Sequence, residues 1–528
     1  MTSNNKSNLT RWLFPSIKDI LFLGYLFGPS LVNESGVLYD SDTGWHIRNG
    51  EHILQTASWP HTDYFSYTNY GKPWFAWEWL ADVTLATIHK YAGLNGIALW
   101  ANLTFALTFT LLFWWTVRRG GDVLICLIFS RLAGFAAAVH WLARPHLFTM
   151  LLVLIWYFLL EHVQGRVMAR SPIPRKVSWI LPAIILVWTN LHGGFVVGIL
   201  LLFIFAFGNY LTSITSNNQE VRGISKSLAW HFTKMAFLCL AVTLINPYGY
   251  RVHKHIFDSY LHSQYLIDRI NEFASPNFHT PVVIFFELIL LSGIVILGIS
   301  YKRLNFIEVG LILFWTHMAL FSVRHVPLYT LMIVPVLVGH LTDYLKTVAT
   351  VPGYSSWVEK TVGGFNRYSG NILRFEKQFK GYLYPTVASA VMIGIALNQG
   401  YVFGHKVLNA SFDSKQFPVK AADFIEGQSF EKNFATTDSW GGYMIYRFYP
   451  RLKVFFDGRS DMYGPEFIRE YGSLTNLEYS WKSVLDKYKV KWVLLPVNYG
   501  LASALKELPG WEVVYDDHFA IIFVKKRD

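Results

Sequence analysis

Leu38-Tyr-Asp-Ser-Asp-Thr-Gly-Trp-His-Ile-Arg-Asn-Gly-Glu51 holds two carboxylates one residue apart, Asp40 and Asp42, directly after the first apolar segment of the chain. A tryptophan, a histidine and an arginine (Trp45, His46, Arg48) follow within a few positions. Acidic residues at the lip of a membrane span are costly unless they face water or do chemistry there. Taken alone, the pair fits a solvated turn after a membrane helix equally well. The rest of the chain decides between the two.

Of the 528 residues, 52% are hydrophobic, 17% aromatic and only 15% charged, where soluble proteins carry roughly 25% charge. This is the composition of a membrane protein with a modest soluble part. The formal charge of +11 would suit nucleic acid, but its distribution does not. From Ser411 onward acidic and basic residues balance, so the excess lies in short loops of the apolar part. No basic run with interleaved aromatics is present, which argues against a nucleic-acid partner. The two cysteines, Cys126 and Cys239, lie inside apolar runs and form neither a disulfide framework nor a metal site.

Crossing ~30 Å of hydrocarbon takes ~20 apolar residues. Candidate spans are centred on 18–37, 95–116, 122–141, 145–162, 177–191, 194–212, 227–245, 281–300, 305–322, 326–345 and 382–401, about eleven by that criterion. The 177–191 segment is short and contains Pro182. No small-x-small cleavage site follows the first run, so it reads as a retained span and not as a signal peptide. If the spans alternate, Arg118-Arg119, Lys302-Arg303 and the loops 166–176, 222–226 and 346–380 all share the side of the basic N-terminus. The positive-inside rule makes that side cytoplasmic.

The opposite side then receives Asp40 and Asp42, Arg144-Pro-His146, Asn190-Leu-His-Gly-Gly194, Asn246-Pro-Tyr-Gly-Tyr250, Arg324-His325 and everything after Tyr401. Polar and ionisable residues at one set of helix ends are what a site at the outer membrane face would produce. Each motif also has a structural reading. Arg144 can snorkel to the headgroups, Asn190 to Gly194 can be a tight turn with glycine at positive φ, and Asn246-Pro-Tyr-Gly is a turn by composition. Arg324-His325 can anchor a span or face a ligand.

Between Asp42 and the second span, residues 47–54 suit a short amphipathic helix lying in the interface. Trp59, Tyr64, Phe65, Tyr67, Tyr70, Trp74, Phe75, Trp77 and Trp79 follow. They read as an interface belt or as an aromatic wall for a sugar or prenyl chain. Glu78 either caps the next helix or joins the acidic pair. Past Tyr401, segments 433–437, 453–457, 491–495, 512–515 and 520–524 read as strands and 440–448, 465–471, 479–488 and 502–508 as helices. The predicted organisation is a multi-span domain over 1–405 and a small extracytoplasmic α/β domain over 411–528. Ser439-Trp-Gly-Gly-Tyr443 lacks the patterns of a nucleotide site. Asp457-Gly-Arg-Ser-Asp461 reads as a structural turn with an ion pair.

On these residues the chain resembles the C-type (GT-C) glycosyltransferase superfamily of polytopic membrane enzymes. Asp40-Ser-Asp42 stands where those enzymes carry an acidic pair at the start of a long first outer loop. The fuller set is similar to that of an uncharacterised bacterial group: an Asp-x-Asp-Thr-Trp-Trp-His-like first loop, Arg-Pro-His/Gln, Asn-x-His-Gly-Gly, Asn-Pro-Tyr-Gly and a terminal Asp-Gly-Arg-x-Asp. The chain departs from that group at Gly44, where tryptophan is common. The resemblance implies an α-helical polytopic enzyme of the bacterial cytoplasmic membrane. It would transfer a sugar from a polyprenyl-phosphate or -diphosphate carrier to a glycan, lipid or protein acceptor at the outer face. Such chemistry needs a base at the acceptor hydroxyl and cations at the departing phosphate. Asp42, with Asp40 as partner, is the expected base. Arg144 and Arg324 are the expected phosphate ligands, helped by His146, His192 and His325, with Arg48 and Glu78 as further substrate-binding residues. The acidic pair can also hold a divalent metal ion, a choice the residues leave open. The rival readings are a transporter or flippase of lipid-linked sugars, which would favour internal repeats and a mid-bilayer site, and a non-catalytic membrane scaffold.

Overall fold

A computed structural model describes residues 11–28, 36–260, 270–351 and 353–526. Helices occupy every predicted span. Among the described residues six are long and apolar enough to cross a membrane: Trp79–Arg118, Val123–His140, His146–Met168, Phe195–Thr215, Pro281–Ile299 and Val323–Val348. Phe306–Phe321 and Leu383–Leu397 are apolar but shorter. Arg175–Leu191 has 17 residues around Pro182, and Gln219–Val242 is helical with a more mixed composition. The first predicted span is helical over Ile17–Leu26, and its continuation through 29–35 lies outside the described residues.

Trp79–Arg118 has 40 residues. At 1.5 Å per residue it is about 60 Å long, far more than hydrocarbon requires. It bends at Gly93, whose φ of +59° and ψ of −155° only glycine adopts readily. The part before the bend stands beside the acidic stretch and contributes the fully buried Asp82.

The predicted 47–54 helix is longer, Asp42–Thr56. It does not float in an interface, because it packs between the start of Trp79–Arg118 and the C-terminal helix Asp438–Phe448. Part of the aromatic loop behind it is buried against the C-terminal domain. Trp45, Phe65 and Trp74 share one buried core with Trp440, Tyr443, Phe448 and Trp492 of the C-terminal unit, while Trp59 and Tyr70 stay exposed. Large rings lose most hydration on mutual burial, and here the C-terminal domain supplies the partners.

That domain is built on a mixed four-stranded sheet. Trp492–Pro496 runs parallel to Phe434–Ala435 and antiparallel to Ala520–Lys525, which pairs antiparallel with the edge strand Trp511–Asp516. Helices Val419–Glu426, Asp438–Phe448, Ser460–Thr475, Trp481–Lys487 and Gly500–Lys506 surround it. The predicted strand at 453–457 is not a ladder strand. It makes single bridges on either side, Lys453 with Asn433 and Val454 with Ser66. The second neighbour comes from the first loop, with Val454 N–H donating to Phe65 O and Tyr67 N–H to Val454 O.

Candidate functional site

Asp42 opens its helix, and its amide donates to Asp40 Oδ1 at 2.7 Å. Asp40 thereby satisfies one of the unpaired N–H groups of the helix start, and both carboxylates sit at the positive end of the helix dipole. Arg144 meets them from the turn before His146–Met168. Its Nη1 lies 3.1 Å from Asp40 Oδ2 and its Nη2 2.9 Å from Asp42 Oδ2. Thr43 Oγ1 donates to Ala143 O at 3.0 Å and so ties the two segments together.

A third carboxylate, unforeseen in the sequence, completes the cluster. Glu272 Oε1 lies 2.7 Å from Arg144 Nη1. It stands on the single 3-10 turn Asn271–Phe273. Ser322 Oγ donates to Glu272 O and Val323 N–H to Ala274 O, which ties that turn to Arg324 and its neighbours. The Arg324 guanidinium sits 4.7 Å over the Phe273 ring.

These groups line a cavity of about 800 Å³ between the membrane helices and the C-terminal domain. Asp40, Asp42, Arg144 and Arg324 of the predicted set come together on its wall. The others do not line it. Arg48 turns to Tyr446 O (2.5 and 2.7 Å) and Glu51 (2.6 Å). The His146 ring bonds His140 O at 2.7 Å. His192 Nδ1 accepts the Gly194 N–H (2.9 Å) and pairs with Thr149 Oγ1 (2.8 Å), while its Nε2 faces Glu78 Oε1 at 3.5 Å. His325 closes the 3-10 turn Val323–His325.

Glu78 stands at the N-cap of Trp79–Arg118 without capping it. It faces His46 Nε2 at 3.8 Å, and His46 Nδ1 is bonded to Asp82 Oδ1 at 2.5 Å. Both line a smaller cavity of about 80 Å³ that also touches Asp42. The turn expected over Asn190 to Gly194 is confined to His192-Gly-Gly194, because Asn190 still belongs to the helix Arg175–Leu191, and its glycines serve a different purpose. Gly194 has φ −61°, and a Cβ on Gly193 would stand 2.3 Å from the Trp77 ring. Close packing demands the glycines there. In the Asn246 turn Gly249 does take φ +56°.

The C-terminal domain reaches Asp42 through the Asp457-Gly-Arg turn. Arg459 grips Asp457 through Nε (2.8 Å) and Nη2 (2.7 Å) and also meets Asp63 at 2.9 Å, all three being buried. The turn so fixed presses Gly458 onto Asp42. Two further close approaches depend on Gly441 and Gly442, whose Cβ atoms would meet Phe456 O at 2.1 Å and Ser41 O at 2.4 Å. Gly44 packs in the same way against Gly442 O. A tryptophan at position 44 would have no room.

The electrostatics separate the carboxylates. Burial pushes Asp42 up to about 7, with Asp40 and Glu272 adding to it and Arg144 opposing. Burial also works against ionised Glu272, but Arg144, His140 and Arg324 outweigh it and hold that group down at about 2. Glu272 is thus a fixed anion that secures Arg144, and Asp42 is poised to take up a proton near neutrality.

The chain matches no protein-family model and no curated protein. Solved structures do match. The apo oligosaccharyltransferase of Archaeoglobus fulgidus superposes with a TM-score of 0.51 at 10% identity, over 97% of this chain and 74% of that one. The A. fulgidus oligosaccharyltransferase AglB, in complex with an inhibitory peptide and a dolichol-phosphate, superposes with 0.54 at 11% identity over the same shares. The fold is the GT-C fold.

On this GT-C scaffold the donor set does not suit a divalent ion. Among the described residues no group of three His, Cys, Asp or Glu is arranged to hold a metal. Asp40, Asp42 and Glu272 each place an oxygen on Arg144, so a guanidinium occupies the centre that a metal would need.

Proposed function

We propose that this protein transfers a sugar from a polyprenyl-phosphate carrier to an acceptor hydroxyl at the outer face of the bacterial cytoplasmic membrane. The observation that carries the reading is Arg144 held by three carboxylates on the wall of the interdomain cavity, on a GT-C fold. Asp42 is the base. The acceptor oxygen attacks the anomeric carbon, the bond from that carbon to the carrier's phosphate oxygen breaks, and its electron pair leaves with the phosphate. The acceptor proton passes to Asp42.

The geometry couples these events. Nη1 of Arg144 serves Asp40 and Glu272, whereas Nη2 faces Asp42. With Asp42 ionised, three carboxylates share the two terminal nitrogens of one guanidinium. Once Asp42 takes the proton it releases Nη2, which turns to the departing phosphate beside Arg324. Proton uptake and leaving-group stabilisation are then one event. A flippase would carry its polar site near mid-bilayer; here the groups sit at helix ends, which favours the transferase.

The test uses purified protein in nanodiscs, given a polyprenyl-phosphate carrying a labelled sugar. Wild type should release or transfer the label. Asp42→Asn should bind donor but turn over on the order of 10²–10⁴ more slowly. Near-normal turnover by Asp42→Asn removes it from the mechanism, and a dead Asp40→Asn beside an active Asp42→Asn exchanges the two roles.

A further inference from the structure

The two walls of the cavity differ in charge. The membrane wall carries both cations, Arg144 and Arg324, along with the carboxylates Asp40, Asp42 and Glu272 that Arg144 holds. The C-terminal wall presents Gln416, Asp438, Ser439, Asp461, Thr475 and Asn476, and no Lys, Arg or His of that domain lines the cavity among the described residues. Asp438 and Ser439 begin the helix after the first sheet strand, and Thr475 and Asn476 end the helix Ser460–Thr475. Gln416, Asp438, Ser439 and Asn476 are exposed into this space. The backbone N–H of Asp438 donates to Tyr471 Oη at 2.9 Å, and Tyr471 Oη donates to Asp438 Oδ1 at 3.2 Å, which holds the carboxylate in place.

We infer that this C-terminal wall is the acceptor subsite and that it takes a neutral, polyhydroxylated glycan. The inference rests on the transferase reading and adds the acceptor class to it. A phosphate-linked donor belongs against the cations, so the acceptor meets the opposite wall. There, carboxylate, amide and hydroxyl side chains both donate and accept, which matches adjacent sugar hydroxyls. An anionic acceptor would face the carboxylate of Asp438, which no Lys, Arg or His of this wall offsets; Asp461 is already paired with His255 at 2.9 Å. A peptide could not bind there by adding a strand. No cavity-lining residue lies on a strand, so there is no open edge for strand addition. The volume of about 800 Å³ lies in the upper part of the roughly 300–1,000 Å³ range of ligand pockets.

The experiment supplies labelled polyprenyl-phosphate sugar to the full-length protein in nanodiscs, with a heat-treated bacterial envelope fraction as acceptor source. The labelled product is then digested separately with glycosidase, protease and phospholipase, and its charge is read by anion exchange. The expected product is a neutral glycan, released by glycosidase only. Label in a peptide, or in an anionic sugar or phospholipid headgroup, overturns the inference while leaving the transferase standing. Donor that is not consumed at all overturns both. As a second reading, Asp438→Asn and Asn476→Ala should each raise the KM for that acceptor about 5–10-fold, the scale of one lost hydrogen bond, with a smaller change in donor KM. Unchanged acceptor KM in both variants removes this wall from acceptor binding.

Discussion

Gly458 touches the carboxylate of Asp42: a Cβ built on it would stand 2.1 Å from Oδ1. A residue of the soluble domain thereby sets the position of the expected base in the membrane domain. Gly458→Ala must push the carboxylate, the turn or both. Misplacement by about 1 Å costs on the order of 10² in rate. The expected outcome is that loss in kcat for labelled donor, with thermal stability little changed. Full activity in Gly458→Ala would mean that the contact yields freely.

The pH dependence follows from Asp42, which must be ionised to accept a proton. Because burial, Asp40 and Glu272 raise it to about 7, turnover should climb as pH rises through about 7 and level off above. Glu272→Gln removes one of the charges that raise Asp42, so the rising limb should move to lower pH. A limb that stays in place, or moves upward, contradicts the assignment. Initial rates across pH at saturating donor provide the measurement.

Arg144 at the centre of three carboxylates makes a prediction about metals. Wild-type turnover should survive chelation by EDTA, and Mn²⁺ should show no tight binding by electron paramagnetic resonance. Arg144→Ala vacates the centre and leaves three carboxylates facing one another, so it should bind Mn²⁺ measurably. Loss of wild-type activity in EDTA with recovery on adding Mn²⁺ would show that Arg144 yields to a metal during the reaction.

The buried trio Arg459, Asp457 and Asp63 should be costly to break. Removing one partner of a buried ion pair leaves the others unpaired, at about 3–5 kcal/mol. Arg459→Leu should therefore lower stability by that order in chemical denaturation and increase hydrogen exchange around 61–67 and 453–461. Exchange confined to the mutated turn would show that the two segments are held by something else.

The side of the membrane can be tested directly. Cys126 and Cys239 are buried, so single cysteines can be introduced without altering the native pair. An impermeant thiol reagent added from outside should modify a cysteine at Ser480 and spare one at Ser355 or Ser171. The reverse pattern would place the site at the inner face.

Much of this was legible in the sequence, because apolar runs and paired charges are local signals. Asp40, Asp42, Arg144 and Arg324 were found at helix ends and do share a cavity wall. Glu272 was not found: a lone glutamate in a long loop carries no periodicity, and only the turn tied to Ser322 brings it to Arg144. The packing of Phe65 and Trp74 is not legible in the sequence, because composition shows that rings need burial without showing against what. Trp45 and Trp74 are covered by a domain that begins hundreds of residues later. Gly458 read as an ordinary turn glycine because its neighbour across space is equally remote.

That remoteness bears on biosynthesis. Nearly all the membrane helices lie between Asp42 and Gly458 in the chain, so Asp42 is synthesised long before its neighbour. Until the segment that carries Gly458 has been made and has docked, Asp42 lacks the contact and burial that tune it. On the transferase reading proposed above, chains stopped before that segment should insert into the membrane and leave a lipid-linked sugar donor unconsumed.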